Sequence, residues 1–127
     1  MSKKRILVVD DEPDFVAVVK ANLQHEGYDV EVAYNGVEAL EKVKANPPDA
    51  IVLDVMMPEK DGYTVCSELK HDDQYCDIPI VLLTAVAENV TSSRYSHSSG
   101  INLEADDFLS KPASPEEILK SLKALMD

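Results

Sequence analysis

Three short runs in this chain contain nothing but branched apolar residues, and each stops abruptly on a polar one. Ile6-Leu7-Val8-Val9 ends at Asp10-Asp11, Ile51-Val52-Leu53 at Asp54, and Ile80-Val81-Leu82-Leu83 at Thr84. A strand with no polar face must be covered on both sides, which is the situation in the middle of a parallel sheet. Stopping on a carboxylate puts that group at the C-terminal end of an interior strand, where open α/β sheets keep their ligand crevices. Asp54, followed soon by Pro58, which stops further pairing, is therefore the candidate centre of any chemistry.

The segments between these runs read as helices and edge strands. Pro13 suits a helical first turn, where its missing N–H costs nothing. Phe15, Val18, Val19 and Leu23 follow near helical spacing as a core face, and Gly27 caps the end. Tyr28 to Ala33 alternates apolar and polar residues, as a half-exposed edge strand does. Asn35-Gly36 makes a turn into a helix with Val37, Leu40 and Val43 inward, stopped by Asn46-Pro47-Pro48. A turn around Pro58 to Gly62 leads to a third helix carrying Tyr63, Cys66 and Leu69 inward.

Residues 87–104 are rich in serine, and a short or irregular fourth helix and a loop are expected there. Asp106 to Leu109 is a brief last strand. Ser114, Pro115 and Glu117 form an N-cap, a first-turn proline and a capping-box partner for a fifth helix. Ile118, Leu119, Leu122, Leu125 and Met126 are its inward face. Five strands alternating with five helices call for a parallel sheet with helices on both faces. Placing the half-exposed strands outside gives the order 2-1-3-4-5, a doubly wound, flavodoxin-like α/β fold with its switch point between the first and third strands.

At 127 residues the chain reads as one domain spanning 1–127. No apolar run approaches membrane-spanning length, and the basic-then-apolar start breaks off at Asp10, so it reads as a first strand, with cytoplasm as the default location. A net charge of −12 disfavours nucleic acid and anionic membrane as direct partners. Cys66 and Cys76 lack metal-ligand spacing and read as free thiols, and His25, His71 and His97 read as surface groups.

With right-handed crossovers the C-terminal ends of all strands share one rim. That rim collects Asp10, Asp11, Asp54, Thr84 and Lys111. Three carboxylates within about 5 Å repel one another by roughly 3 kcal/mol per pair at an effective dielectric near 20. A cation relieves that, and an all-oxygen donor set suits Mg²⁺. A divalent ion, an ionised aspartate able to act as nucleophile, a lysine and a hydroxyl are together a set of parts for phosphoryl transfer.

These residues resemble the receiver domains of two-component response regulators. The resemblance rests on four stretches in order: Ile6-Leu-Val-Val-Asp10-Asp11-Glu12-Pro13; Leu53-Asp54-Val-Met-Met-Pro58 with Asp61-Gly62; Leu83-Thr84-Ala85; and Ala105-Asp-Asp-Phe108-Leu-Ser-Lys111-Pro112. It implies that Asp54 accepts phosphate from the phosphohistidine of a sensor histidine kinase or phosphotransfer protein. It implies further that Asp11, Asp54 and the main-chain carbonyl of Met56 hold Mg²⁺, with Asp10 acting mainly through metal-bound water. Lys111 would pair with the phosphate, and Pro112 would follow in a cis bond. Thr84 would move towards a phosphoryl oxygen while Phe108 turns inward, altering the face made by the fourth helix, fifth strand and fifth helix. A downstream protein would read that face, and a phosphorylation-dependent homodimer through it is a further implied state. Such a domain catalyses only its own phosphoryl transfer and dephosphorylation.

Three positions depart from the common pattern: a longer stretch between Thr84 and Lys111, Glu104 in place of a glycine, and Phe108 where tyrosine is frequent. Met56, Ala85 and Val86 are the modulating positions; Met56 and Val86, two places after Asp54 and Thr84, are apolar and cannot orient a water by hydrogen bonding, so slow hydrolysis of the phosphoryl-aspartate is expected. A haloacid-dehalogenase-like phosphatase wants a second aspartate at position 56, where Met stands. A flavodoxin wants a Ser/Thr/Gly phosphate loop. A phosphorylation-independent pseudo-receiver is the alternative within the same fold. The final helix runs to the end of the sequence, which fits a stand-alone receiver or a domain of a longer regulator.

Overall fold

A computed structural model describes residues 4–55, 61–84, 105–110 and 113–126. Its elements run β1 (Arg5–Val9), α1 (Pro13–His25), β2 (Asp29–Ala33), α2 (Gly36–Ala45), β3 (Ala50–Asp54), α3 (Gly62–Lys70), β4 (Ile80–Thr84), β5 (Asp107–Ser110) and α4 (Pro115–Met126). α4 is the fifth helix of the sequence reading; the irregular helix expected within 87–104 lies outside the described residues. All strands are parallel, in the order β2-β1-β3-β4-β5.

Position in the sheet follows composition. Every residue of β3 is buried, and the apolar parts of β1 and β4 are buried throughout. The alternating strands β2 and β5 are the edges. The pleat divides the central strands between two cores. Leu7, Val9, Ile51, Leu53, Ile80 and Leu82 face α2 and α3, whereas Ile6, Val8, Val52, Val81 and Leu83 face α1 and α4.

The helix termini are locally encoded. Pro13 opens α1, and Gly27, at φ 96°, supplies the left-handed turn that ends it. Asn35 is an N-cap rather than a turn residue: its side chain accepts the Glu38 N–H at 2.8 Å, and Glu38 Oε1 accepts the Tyr34 N–H at 2.8 Å. In α4 the box is complete, with the Glu117 N–H on Ser114 Oγ at 3.1 Å and the Ser114 N–H on Glu117 Oε1 at 2.8 Å.

Two inward-facing assignments are corrected. Val18 is 51% exposed and Val37 42% exposed. α1 buries Val16, Val19 and Leu23 instead, and Val18 stands about 200° around the helix from Val16. α2 buries Gly36, Ala39, Leu40 and Val43. α3 buries Val65 beside the expected Cys66 and Leu69, with Tyr63 at the edge of that core. In α4, Ile118 and Leu122 are fully buried, while Leu119, Leu125 and Met126 pack at the margin.

Candidate phosphoacceptor site

The site is a consequence of register. β1 and β3 are neighbours with Val9 opposite Leu53, so the next residues along, Asp10 and Asp54, leave the sheet at the same level. Both continue the pleat positions of Val8 and Val52. Asp10 is 0% exposed and Asp54 1% exposed, so two carboxylates are withdrawn from water side by side. Asp10 is fixed by its backbone, whose N–H donates to the Ala33 carbonyl at 3.1 Å, and its Oδ1 accepts the Glu12 N–H at 3.0 Å. Asp11, one residue on, is exposed.

Carboxylate oxygens of Asp10, Asp11 and Asp54 lie within 4.8 Å of one another. Burial penalises ionised Asp10 and Asp54, like charge penalises all three at that spacing, and a bound cation relieves both. The donors are all hard oxygens, with one open, solvent-facing member in Asp11. That set fits a small divalent ion of the Mg²⁺ kind better than a thiolate- or imidazole-seeking metal.

β4 supplies the next group. Asp54 pairs with Leu83, and the Val55 N–H donates to the Leu83 carbonyl at 3.1 Å, so Thr84 stands one position further along the same rim. Thr84 is partly exposed and pairs with Ser110 of β5. Phe108 pairs with Leu82, which puts Thr84 and Phe108 on one face of the sheet, diagonally across neighbouring strands. Phe108 is 39% exposed. Of the residues singled out from sequence, Asp10, Asp11, Asp54, Thr84 and Phe108 are thus placed; Met56, Ala85, Val86, Lys111 and the cis peptide at Pro112 lie outside the described residues.

A profile of the response regulator receiver domain family matches residues 6–123. This chain belongs to that family. Its curated relatives include the alkaline phosphatase synthesis transcriptional regulatory protein PhoP of Bacillus subtilis (strain 168), 44% identical over 97% of this chain and 48% of the relative. The DNA-binding dual master transcriptional regulator RpaA of Synechocystis is 39% identical over 96% of this chain and 48% of the relative. The receiver therefore spans about half the length of the curated relatives it matches. Among solved structures, the chemotaxis response regulator CheY4 of Vibrio cholerae superposes with a TM-score of 0.83 at 32% identity, over 98% of this chain and 99% of that one. The signal receiver domain of a signal transduction histidine kinase from Syntrophus aciditrophicus gives 0.84 at 34%, over 97% and 89%.

Sequence reasoning missed one polar contact behind this receiver's β5. The Ser121 hydroxyl of α4 donates to Asp107 Oδ2, and Asp107 Oδ1 accepts the Phe108 N–H at 2.9 Å. A serine among apolar residues on the inward face of α4 was the available signal. No helix among the described residues is long and apolar enough to cross a membrane.

Proposed function

We propose that this receiver is a phosphorylation-activated switch in which Asp54 takes a phosphoryl group from the phosphohistidine of a sensor histidine kinase or phosphotransfer protein. The observation that carries the reading is the buried Asp54 carboxylate at a strand end, with carboxylates of Asp10 and Asp11 within 4.8 Å. One Asp54 carboxylate oxygen attacks phosphorus, the P–N bond breaks, and its electron pair stays on the imidazole of the donor. Asp11 and Asp54 would hold Mg²⁺ together with the Met56 carbonyl, and Asp10 would act mainly through metal-bound water. When bound, the ion supplies the positive charge that the phosphoryl oxygens need in the transition state.

Lys111 pairs with the phosphoryl group, and the Thr84 hydroxyl donates to one of its oxygens. The new acceptor draws Thr84 inward, and the neighbouring Phe108, on the same face of the sheet, follows into the space released. The surface changed in this way is the partner-binding face around β5 and α4. It is read by a downstream protein or by a second copy of the chain. Met56 and Val86 leave an attacking water unoriented, so the phosphorylated state is long-lived. The domain carries out its own phosphoryl transfer and hydrolysis and turns over no free metabolite. It works in the cytoplasm, without direct contact to nucleic acid or membrane.

The test is to incubate the protein with a small phosphodonor and Mg²⁺ and weigh it. One phosphoryl group is gained by the wild type and none by Asp54→Ala or in excess chelator. An unchanged wild-type mass would leave a phosphorylation-independent binding module as the better reading.

A further inference from the structure

α3 begins unusually close to the strand that carries Asp54. A Cβ at Gly62 would stand 2.3 Å from the Asp54 carbonyl oxygen, 2.8 Å from Val55 Cα and 2.9 Å from the Asp54 carbonyl carbon. All three atoms belong to the peptide unit joining Asp54 to Val55, so no side-chain rotation can relieve the contact. Val55 is held on both sides of that approach. Its N–H donates to the Leu83 carbonyl at 3.1 Å, and its own carbonyl accepts the Gly62 N–H at 3.0 Å. The requirement at Gly62 is for space; among the described residues Gly27 is the glycine at positive φ, and a Cβ added there would meet nothing within 4 Å.

We infer that Gly62 is a positioning residue for Asp54: the bare backbone at the start of α3 sets where the phosphoacceptor carboxylate stands relative to Asp10 and Asp11. A methyl group at position 62 needs roughly 1 Å more room than the structure provides. If the strand end yields, the Asp54 carboxylate moves away from its two neighbours. If the helix yields, the bond from Gly62 to Val55 is lost and the strand end loosens. Either response degrades a cation site, for which displaced supporting contacts typically cost 10- to 100-fold in affinity. The inference rests on the proposal that this carboxylate cluster holds Mg²⁺.

The experiment compares wild type, Gly62→Ala and Gly27→Ala as full chains, by Mg²⁺ titration calorimetry and by hydrogen exchange of the Val55 amide in metal-free protein. Gly62→Ala is expected to fold, to bind Mg²⁺ about tenfold or more weakly, and to lose protection at Val55. Gly27→Ala, strained at its positive φ, is expected to be less stable yet to keep wild-type Mg²⁺ affinity and Val55 protection. Wild-type affinity and protection in Gly62→Ala would overturn the inference, as would equal losses in Gly27→Ala. Should Gly62→Ala not fold, Asp61→Ala decides. That change removes the cap on the Thr64 N–H at 2.9 Å and loosens the same first turn. A smaller loss in both readouts supports the inference, and wild-type behaviour overturns it. If wild type takes up no Mg²⁺, the cation reading fails, and Val55 exchange still judges the positioning by itself.

Discussion

The Ser121 hydroxyl donates to Asp107 Oδ2 at 2.5 Å, tying α4 to the first residue of β5. The other oxygen of the same carboxylate accepts the Phe108 N–H at 2.9 Å. One carboxylate thus links the final helix to the backbone of the residue expected to rotate. β5 is a short edge strand with one neighbour, so this tie carries a large share of its restraint. Ser121→Ala should cost about 1 kcal/mol, because partly buried Asp107 loses a partner. The measurement is chemical denaturation together with hydrogen exchange of the Phe108 amide. Faster exchange there, with the Asp10 and Val55 amides unchanged, is the expected pattern.

Without a cation, the carboxylates of Asp10, Asp11 and Asp54 oppose folding. At 4.8 Å and an effective dielectric near 20, each charged pair repels by roughly 3 kcal/mol, and solvent screening at the exposed Asp11 reduces what is realised. Asp54→Asn keeps the shape of the side chain and removes one charge. In excess chelator it should therefore be more stable than wild type by ~1–2 kcal/mol, visible as a higher melting temperature. Saturating Mg²⁺ should stabilise the wild type and narrow or reverse that difference. A wild type that melts higher than Asp54→Asn in chelator would count against the electrostatic account.

How much of this could be read from the residues depends on how local the cause is. The strands β1, β3 and β4 announce themselves because a run without a polar face has no other place to go, and their ends carry Asp10, Asp54 and Thr84 to one rim. The box of Ser114 and Glu117 is legible because it closes within one turn. The face of α1 is not settled by spacing, since Val16, Val18 and Val19 are all apolar and only the packing partners choose among them. Contacts between distant segments are less legible still. The approach of Gly62 to the Asp54 peptide and the bond from Ser121 to Asp107 depend on how helices settle on the sheet, and composition alone does not encode it.

Val18 and Leu23 of α1 give a direct check on that choice of face. Leu23 is buried against the sheet, and Val18 is 51% exposed. Leu23→Ala should lose about 2–5 kcal/mol through transfer and cavity terms, whereas Val18→Ala should change stability by no more than about 0.5 kcal/mol. Urea denaturation of both variants measures this. Comparable losses would mean that α1 is rotated from the orientation described.

At the opposite end of the sheet from the carboxylates, Lys70 closes α3 onto the entry to β4 and β5. Its ammonium donates to the Cys76 carbonyl at 3.2 Å, the Ile78 carbonyl at 3.0 Å and Asp106 Oδ2 at 2.8 Å. That Asp106 oxygen also accepts the Ile80 N–H at 2.8 Å, and the Asp106 N–H returns a bond to the Ile80 carbonyl at 2.9 Å. The lysine side chain is only 12% exposed, so the arrangement is a charged hub shared by three backbone segments rather than a surface ion pair. Lys70→Met fills similar volume but takes the ammonium donor from two carbonyls and from a carboxylate that keeps the Ile80 N–H. It should cost about 2–3 kcal/mol, and added salt should reduce that loss little. Because Asp106 depends on the same ammonium, the double variant Lys70→Met with Asp106→Asn should be less destabilised than the sum of the two singles. Mg²⁺ affinity should stay at the wild-type value in all three, since the hub lies a strand length of roughly 15 Å from the rim. Additive losses would reduce the Lys70 contact with Asp106 to a crossing of independent groups.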